Sequence, residues 1–240
     1  MEPVRNDRRE VELDDWLAES LRQPGDPARP SVTLSYAQSL DGSIALRRGE
    51  PLALSGLESK QLTHKLRAAH DAILVGIGTV LSDDPQLNVR LAEGKDPRIV
   101  VLDSQLRTPL VAKMLKSGKA RVFCAATADR RRQRELEGAG AIVERQADAK
   151  ATRVNLHEML NRLKVLGTKS VMVEGGGQVI LSFLSEKLVE RLVITIAPLF
   201  VGGYKAVESV MGKIPKLTNG GSGKYGKDIV IWGDVDYETH

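Results

Sequence analysis

The amino-acid sequence predicts an α/β fold with three layers, in which a mostly parallel central sheet ends in an antiparallel edge pair. Two observations support this fold class. From Ser31 onward, short apolar runs rich in Val and Ile alternate with segments of helical periodicity, the pattern typical of strands joined by helical crossovers. The last two predicted strands have no clear helix between them, which favours antiparallel pairing at one edge.

The predicted elements follow one another in an order typical of a single domain. Strands are expected at residues 32–37, 72–75, 98–102, 121–125, 141–144, 170–173, 192–197 and 228–232. Helices are expected at residues 58–70, 129–138, 155–166 and 178–188. Residues 1–30 are charged and rich in proline, so we expect an N-terminal extension with a short helix at 14–21, followed by one domain over residues 31–240.

Composition excludes several classes of site. Cys124 is the sole cysteine and there are four histidines, so we expect no disulfide, no metal centre and a reducing, cytoplasmic location. No apolar stretch is long enough to span a membrane. The net charge of +4 suits either nucleic acid or a substrate and cofactor that carry phosphates. The basic run at 130–134 is interpreted as a solvated helix face, because no aromatic residues interleave with it.

Three segments that follow predicted strands could bind a ligand, because ligands of open α/β sheets gather at the carboxyl ends of strands; they are residues 76–85, 174–178 and 35–42. In the segment 76–85, Gly76 and Gly78 permit close backbone approach and Thr79 offers a hydroxyl; the alternative is a simple turn before Pro85. In the segment 174–178, three consecutive glycines run from a strand into a helix. We interpret them as a phosphate cradle in preference to a plain turn.

Other polar residues have a structural and a functional interpretation. Asp41-Gly42 predicts a turn, and Ser55 with Glu58 predicts a capping box at the start of a helix. Arg67 and Arg90 would supply counter-charge to a phosphate, or would lie on the surface as ordinary helix and loop residues. Glu174 ends a strand and points into a cleft, or serves as a local backbone acceptor.

Taken together, these segments resemble the riboflavin-biosynthesis reductases, a family with a dihydrofolate-reductase-like fold. The matching pieces occur in the same order at residues 36–42, 66–67, 70–76, 78–85, 87–88 and 171–176. Ser35 stands where bacterial members usually have Lys, and no zinc-deaminase segment precedes the matching residues. Both features favour the free-standing, fungal-type branch, and residues 31–240 become the predicted reductase domain.

The resemblance implies roles for individual residues. The residues implied to contact NADPH are Gln38, on the nicotinamide side, and Thr79, Asp83, Gly175, Gly176, Gly177, Gln178 and Val179. The residues implied to hold the substrate are Arg67, Leu87, Arg90 and Glu174. Asp83 and Glu174 are the predicted catalytic residues: Asp83 positions the nicotinamide carboxamide or relays a proton, and Glu174 binds the amino-substituted pyrimidine.

The implied reaction is the reduction of the ribosyl side chain of 2,5-diamino-6-ribosylamino-4(3H)-pyrimidinone 5′-phosphate by NADPH. The alternative substrate is the deaminated 5-amino-6-(5-phosphoribosylamino)uracil. The resemblance also implies a homodimer, whereas the composition leads us to expect no metal, nucleic-acid or membrane partner.

Overall fold

The computed structural model describes residues 7–23, 25–148, 150–208 and 215–237. Residues 1–6 of the predicted extension and Pro24 lie outside the described residues. The strands are β1 (Ser31–Ser39), β2 (Ser43–Ala45), β3 (Ala72–Gly76), β4 (Arg98–Leu102), β5 (Arg121–Cys124), β6 (Ile142–Arg145), β7 (Ser170–Val173), β8 (Arg191–Ala197), β9 (Tyr204–Lys205), β10 (Lys216–Tyr225) and β11 (Asp228–Asp236). The helices are α1 (Asp7–Arg22), α2 (Leu57–Ala69), α3 (Ile77–Asp83), α4 (Arg130–Gly138), α5 (Leu156–Val165) and α6 (Gly177–Ser185), with a 3₁₀ helix at Lys113–Ser117.

Across the described residues, nine strands form one sheet in the order β10-β11-β8-β1-β7-β3-β4-β5-β6. Every pair from β8 to β6 in this order is parallel. Strand β11 is antiparallel to both β8 and β10. The predicted parallel sheet with an antiparallel edge is therefore confirmed.

Alternating side chains divide the core into two sides. Along β3, Ala72 and Leu74 join the cluster that packs under α5 and α6, whereas Ile73 and Val75 join the cluster that contains α4 and the 3₁₀ helix. A third cluster packs α1 and α2 against β7, β8 and β11. Because successive strand residues face opposite sides of a sheet, these clusters form the two interfaces of a three-layer domain.

Several elements escaped prediction, for identifiable reasons. Helix α3 begins directly at the end of β3, where Gly76 and Gly78 indicate a turn by their composition. Strand β10 is glycine-rich and mostly exposed on the sheet edge, so its sequence lacks the alternation of a half-buried strand. The short β2–β9 pair gives too few residues for a periodic signal.

The predicted capping box at Ser55 is wrong. The N-cap of α2 is Gly56, and no side chain caps it in the usual way. Instead, the buried Asp228 at the start of β11 accepts hydrogen bonds from the Gly56 N–H at 2.7 Å and from the Ser59 hydroxyl at 2.8 Å. A residue distant in sequence thus satisfies the end of the helix.

Candidate active site

The carboxyl ends of β1, β7, β3 and β4 meet at one edge of the sheet, because these strands are parallel neighbours. Glu174 follows β7 at this edge, and its backbone N–H donates to the Leu74 carbonyl of β3 at 2.9 Å. Arg67, near the end of α2, reaches the same point from the α2 side of the sheet. The edge therefore brings together residues that are 107 positions apart in sequence.

Arg67 and Glu174 form a bidentate ion pair. Arg67 Nε donates to Oε1 and Nη2 donates to Oε2, both at 2.7 Å, while Nη1 donates to the Asn88 carbonyl at 3.0 Å. The two side chains are 11% and 18% exposed. Such parallel, charge-assisted bonds fix the guanidinium plane and leave its remaining N–H groups for a ligand.

The ion pair keeps Arg67 charged. Burial by itself would lower the pKa of the guanidinium, but the hydrogen bond and the negative charge of Glu174 together outweigh burial, so that the pKa is raised. The structure thus unites two of the predicted substrate residues as partners of each other.

A cleft of about 370 Å³ opens beside this pair, and its walls come mainly from the loop after α3. The residues that line it are Arg67, Asp83, Asp84, Pro85, Gln86, Leu87, Arg90 and Lys113. Leu87 is buried and adopts a left-handed backbone with φ 56°. The cleft thus gathers Arg67, Leu87, Arg90 and Asp83 from the predicted set, together with Asp84 of the matched segment 78–85, and adds Lys113, which no sequence pattern indicated.

His64 of α2 contacts the backbone of Arg90, one of the residues that line the cleft. Its pKa is lowered to about 4 by burial first and then by the positive charges of Arg67 and Arg90. The neutral ring accepts a hydrogen bond from the Arg90 backbone N–H to Nδ1 at 3.0 Å, while Arg90 Nη1 donates to Asn88 Oδ1 at 3.0 Å. His64 therefore fixes the backbone of Arg90 and leaves the guanidinium at the cleft rim.

The predicted glycine turn (residues 175–177) leads into α6, whose N-cap Gly176 provides no side-chain cap. A Cβ on Gly175 would lie 2.6 Å from Val179 Cβ, and one on Gly177 would lie 2.7 Å from the Tyr204 hydroxyl. Tight packing thus requires both of these glycines. A Cβ on Gly176, in contrast, would have Thr79 Oγ1 at 3.9 Å as its nearest neighbour. Protein packing does not explain the glycine at 176, whereas close approach of a ligand to the backbone would.

Helix α3 connects the glycine turn to the cleft. Thr79 in its first turn faces the open position at Gly176, while Asp83 at its last residue lines the cleft and accepts a hydrogen bond from Ser82 Oγ at 2.6 Å. The exposed Gln178 and the partly buried Val179 form the first turn of α6. Gln38 lies apart from the cleft lining: it is a partly buried residue of β1 opposite Ile196, beyond the last residue of β1 that pairs with β7.

The predicted Asp41-Gly42 turn is confirmed, with Gly42 at φ 81°. Its carboxylate accepts hydrogen bonds from Lys205 Nζ, from the hydroxyls of Ser39 and Ser43, and from two backbone N–H groups at residues 201 and 202. These bonds, with that from Lys205 first, lower the pKa of Asp41 well below its usual range. Asp41 thereby fixes the β2–β9 pair, and with it Tyr204, beside the glycine turn. Tyr204 escaped prediction because this contact is made only in the folded chain.

The structure also bears on the expected metal, membrane and nucleic-acid partners. In the parts of the chain that the structure describes, no group of three or more His, Cys, Asp and Glu side chains is arranged to hold a metal ion. The same residues include no helix with the length and apolar character needed to cross a membrane. The basic run in α4 begins after the N-cap Asp129, and Arg131 is 81% exposed beside Glu135.

Comparison with known proteins places this arrangement in a family. The family model described as the RibD C-terminal domain matches residues 30–231. The chain belongs to this family. It is therefore a reductase of riboflavin biosynthesis, as its resemblance predicted, and the predicted dihydrofolate-reductase-like fold is confirmed with it.

Individual RibD-family relatives cover most of the chain. The 2,5-diamino-6-ribosylamino-4(3H)-pyrimidinone 5′-phosphate reductase of Debaryomyces hansenii is 40% identical over 204 residues, which are 78% of this chain and 82% of the relative. Among solved structures, the riboflavin biosynthesis reductase Rib7 of Saccharomyces cerevisiae has a TM-score of 0.73 and 29% identity, and the match covers 94% of this chain and 100% of Rib7. Acinetobacter baumannii RibD has a TM-score of 0.75 and 28% identity over 87% of this chain, which spans 59% of that RibD chain.

Proposed function

We propose that this chain uses NADPH to reduce the ribosyl side chain of 2,5-diamino-6-ribosylamino-4(3H)-pyrimidinone 5′-phosphate to the ribitylamino compound. The observation that carries the proposal is the arrangement of α3, which runs from an open glycine turn at Thr79 to a cationic cleft at Asp83. A reductase needs two ligands side by side, and this helix borders a site for each. Relatives that are named for this activity match this chain over most of their own length.

The residues around the glycine turn fit a dinucleotide. The first N–H groups of α6 carry partial positive charge and have no side-chain cap, so they suit a pyrophosphate. The open space at Gly176 would let the pyrophosphate approach the backbone closely, which a Cβ at this position would obstruct. We assign Gly175, Gly176, Gly177, Gln178 and Val179 to this cradle.

The remaining cofactor contacts lie on either side of the cradle. Thr79 and Asp83 extend it along α3, and Gln38 lines the nicotinamide side from β1. Bound NADPH supplies the hydride that reduces C1′ of the substrate.

The cleft residues fit a phosphorylated ribosylaminopyrimidine. Each carboxylate oxygen of Glu174 accepts one bond from Arg67 and can accept a second, so Glu174 can also receive the amino groups of the pyrimidine. Leu87 contributes an apolar wall. The guanidinium of Arg90 faces the more anionic part of the substrate, whereas the N–H groups of Arg67 that Glu174 and Asn88 leave free lie beside Glu174 and the pyrimidine.

The reaction balances as a two-electron reduction. The C1′–O4′ bond of the ribose breaks, O4′ takes a proton, and a C1′=N double bond forms with the exocyclic nitrogen. The glycine turn at residues 175–177 would hold NADPH, whose hydride would then add to C1′, and the nitrogen would recover its electron pair. We assign Asp83 the transfer of the proton, because its carboxylate is exposed at the cleft, where it accepts a hydrogen bond from the Ser82 hydroxyl. Glu174 orients the pyrimidine.

The test is a comparison of substrates with the purified chain. We expect oxidation of NADPH, followed by its absorbance, to be faster in kcat/KM with the diamino compound than with the deaminated 5-amino-6-(5-phosphoribosylamino)uracil. Equal or faster turnover of the deaminated compound would establish the alternative substrate instead. Repeating the assay with NADH measures the cofactor preference, for which we propose NADPH.

The homodimer and the cytoplasmic location remain predictions, and so does the boundary between an extension at residues 1–30 and a reductase domain at 31–240. Nucleic-acid binding is not part of the proposed function. Its signature would be binding to duplex or single strands that weakens steeply with salt.

A further inference from the structure

Lys113 lines the cleft without belonging to any matched motif. It is the first residue of the 3₁₀ helix that follows β4, and it faces the same space as Arg67, Asp83 and Arg90. Its backbone N–H donates to Asp84 Oδ1 at 2.9 Å, and Asp84 is the C-cap of α3. This bond ties the 3₁₀ helix to α3, so Lys113 is held at the cleft independently of what its ammonium group contacts.

The three cations of the cleft differ in how firmly each is already paired. Arg67 donates two hydrogen bonds of 2.7 Å to Glu174, and both side chains are largely buried. Arg90 donates to a neutral amide oxygen of Asn88. Lys113 Nζ lies 3.4 Å from Asp84 Oδ2, and the two side chains are 50% and 46% exposed. An exposed ion pair of this kind is weak and exchanges readily for another anion.

Asp84 is the anion that the ammonium group of Lys113 can exchange for a phosphate. The backbone N–H of Lys113, and then the ammonium groups of Lys113 and Lys116, lower the pKa of Asp84 more than burial raises it, so its carboxylate is ionised at neutral pH. A phosphate monoester carries up to two negative charges and three acceptor oxygens, more than one carboxylate oxygen offers. The Lys113 ammonium, with three rotatable donors, can therefore turn from Asp84 to a phosphate without any movement of the backbone.

We propose that Lys113, together with Arg90, binds the 5′-phosphate of the substrate, and that Arg67 instead positions Glu174 and the pyrimidine. This inference rests on the proposed function, since it names the phosphate subsite of the same cleft. It makes Lys113 a determinant of specificity for phosphorylated over unphosphorylated substrates.

The experiment compares Lys113→Gln with Lys116→Gln, a lysine on the same 3₁₀ helix that is exposed but does not line the cleft. Steady-state kinetics are measured with the phosphorylated pyrimidine and with its dephosphorylated form. One charge-assisted hydrogen bond corresponds to about a tenfold change in affinity, so we expect Lys113→Gln to raise KM about tenfold for the phosphorylated substrate alone. Lys116→Gln should behave as the wild type with both substrates.

A second variant predicts a change of opposite sign. Asp84→Asn keeps an oxygen for the Lys113 N–H but removes the charge that competes with phosphate, so KM for the phosphorylated substrate should fall by about threefold. An unchanged KM in Lys113→Gln, or an equal rise with both substrates, would overturn the inference.

Binding measurements separate this inference from the proposed function. Ribose 5-phosphate and ribose are titrated calorimetrically into the wild type and into Lys113→Gln. If the wild type reduces neither pyrimidine, the proposed function fails, yet loss of ribose 5-phosphate binding in Lys113→Gln would still support the phosphate site. Equal ribose 5-phosphate binding by both proteins would contradict it.

Discussion

The pair formed by Arg67 and Glu174 combines a structural and a functional role in two side chains. Arg67→Ala would leave a carboxylate that is 18% exposed without its partner, so we expect a loss of about 3 kcal/mol in the free energy of unfolding. Turnover should fall strongly while the Kd for NADPH stays near that of the wild type, because Arg67 lies outside the glycine turn. Urea unfolding, steady-state kinetics and NADPH titration measure these three quantities.

The double variant Arg67→Leu with Glu174→Leu separates the two roles. Replacing both charges by apolar side chains removes the unpaired carboxylate, so much of the stability should return. Turnover should not return, because the pyrimidine has lost its acceptor. A double variant with wild-type kcat/KM would show that the pair serves only the fold.

Gly176 differs from its two neighbours in having open space where a side chain would be. Gly176→Val should leave the free energy of unfolding within about 1 kcal/mol of the wild type, since the nearest atom to the new Cβ is Thr79 Oγ1 at 3.9 Å. NADPH affinity should be lost, because the branched side chain would occupy the cradle. Fluorescence titration with NADPH measures the affinity.

Gly177→Ala provides the contrasting variant, because its Cβ would meet the Tyr204 hydroxyl at 2.7 Å and destabilise the fold itself. Wild-type NADPH affinity in Gly176→Val would exclude the glycine turn as the cradle.

Among the helices, α2 is stabilised at its N-terminus from another part of the chain. Asp228→Ala removes the acceptor of the Gly56 N–H and the Ser59 hydroxyl, and should cost about 2 kcal/mol of unfolding free energy. Ser55→Ala is the matched control and should cost less than about 0.5 kcal/mol. Thermal or urea unfolding of the two variants decides which residue caps α2, and a larger loss in Ser55→Ala would restore the capping box.

For the molecule as a whole, two buried histidines govern stability on the acidic side. The pKa of His64 is lowered to about 4. Burial also lowers the pKa of His70 to about 4, although the hydrogen bond between His70 and the Leu66 carbonyl partly offsets this effect. An unfolded chain has both near 6.5, so between these values it binds protons that the folded chain excludes. Their contribution is therefore complete above pH 6.5 and is lost as the pH falls toward 4.

Urea unfolding at a series of pH values tests this dependence. Each histidine should contribute a slope of up to about 1.4 kcal/mol per pH unit between the two pKa values. His64→Gln should reduce the slope to that of one histidine. A wild-type stability that is constant from pH 6.5 down to 5 would contradict the assignment of neutral, buried rings.

Local patterns in the sequence determined much of this protein. Short apolar runs predict the central strands, because a buried parallel strand must be apolar on both faces. Residues 36–42, 78–85 and 171–176 identify the family, since a ligand-binding turn requires particular residues at adjacent positions. Arg67, Leu87, Arg90 and Asp83 were predicted as site residues, and the structure gathers them at one cleft.

Only the tertiary structure decided which side chains meet. Asp228 accepts a hydrogen bond from the N-cap of α2, and Glu174 binds Arg67 through both of its carboxylate oxygens. The Tyr204 hydroxyl lies close to Gly177, and Lys113 lines the cleft. Each of these contacts joins residues far apart in the chain, and periodicity reports on neighbours only. Their positions follow from the order in which the strands align, because the sheet edge brings their ends together.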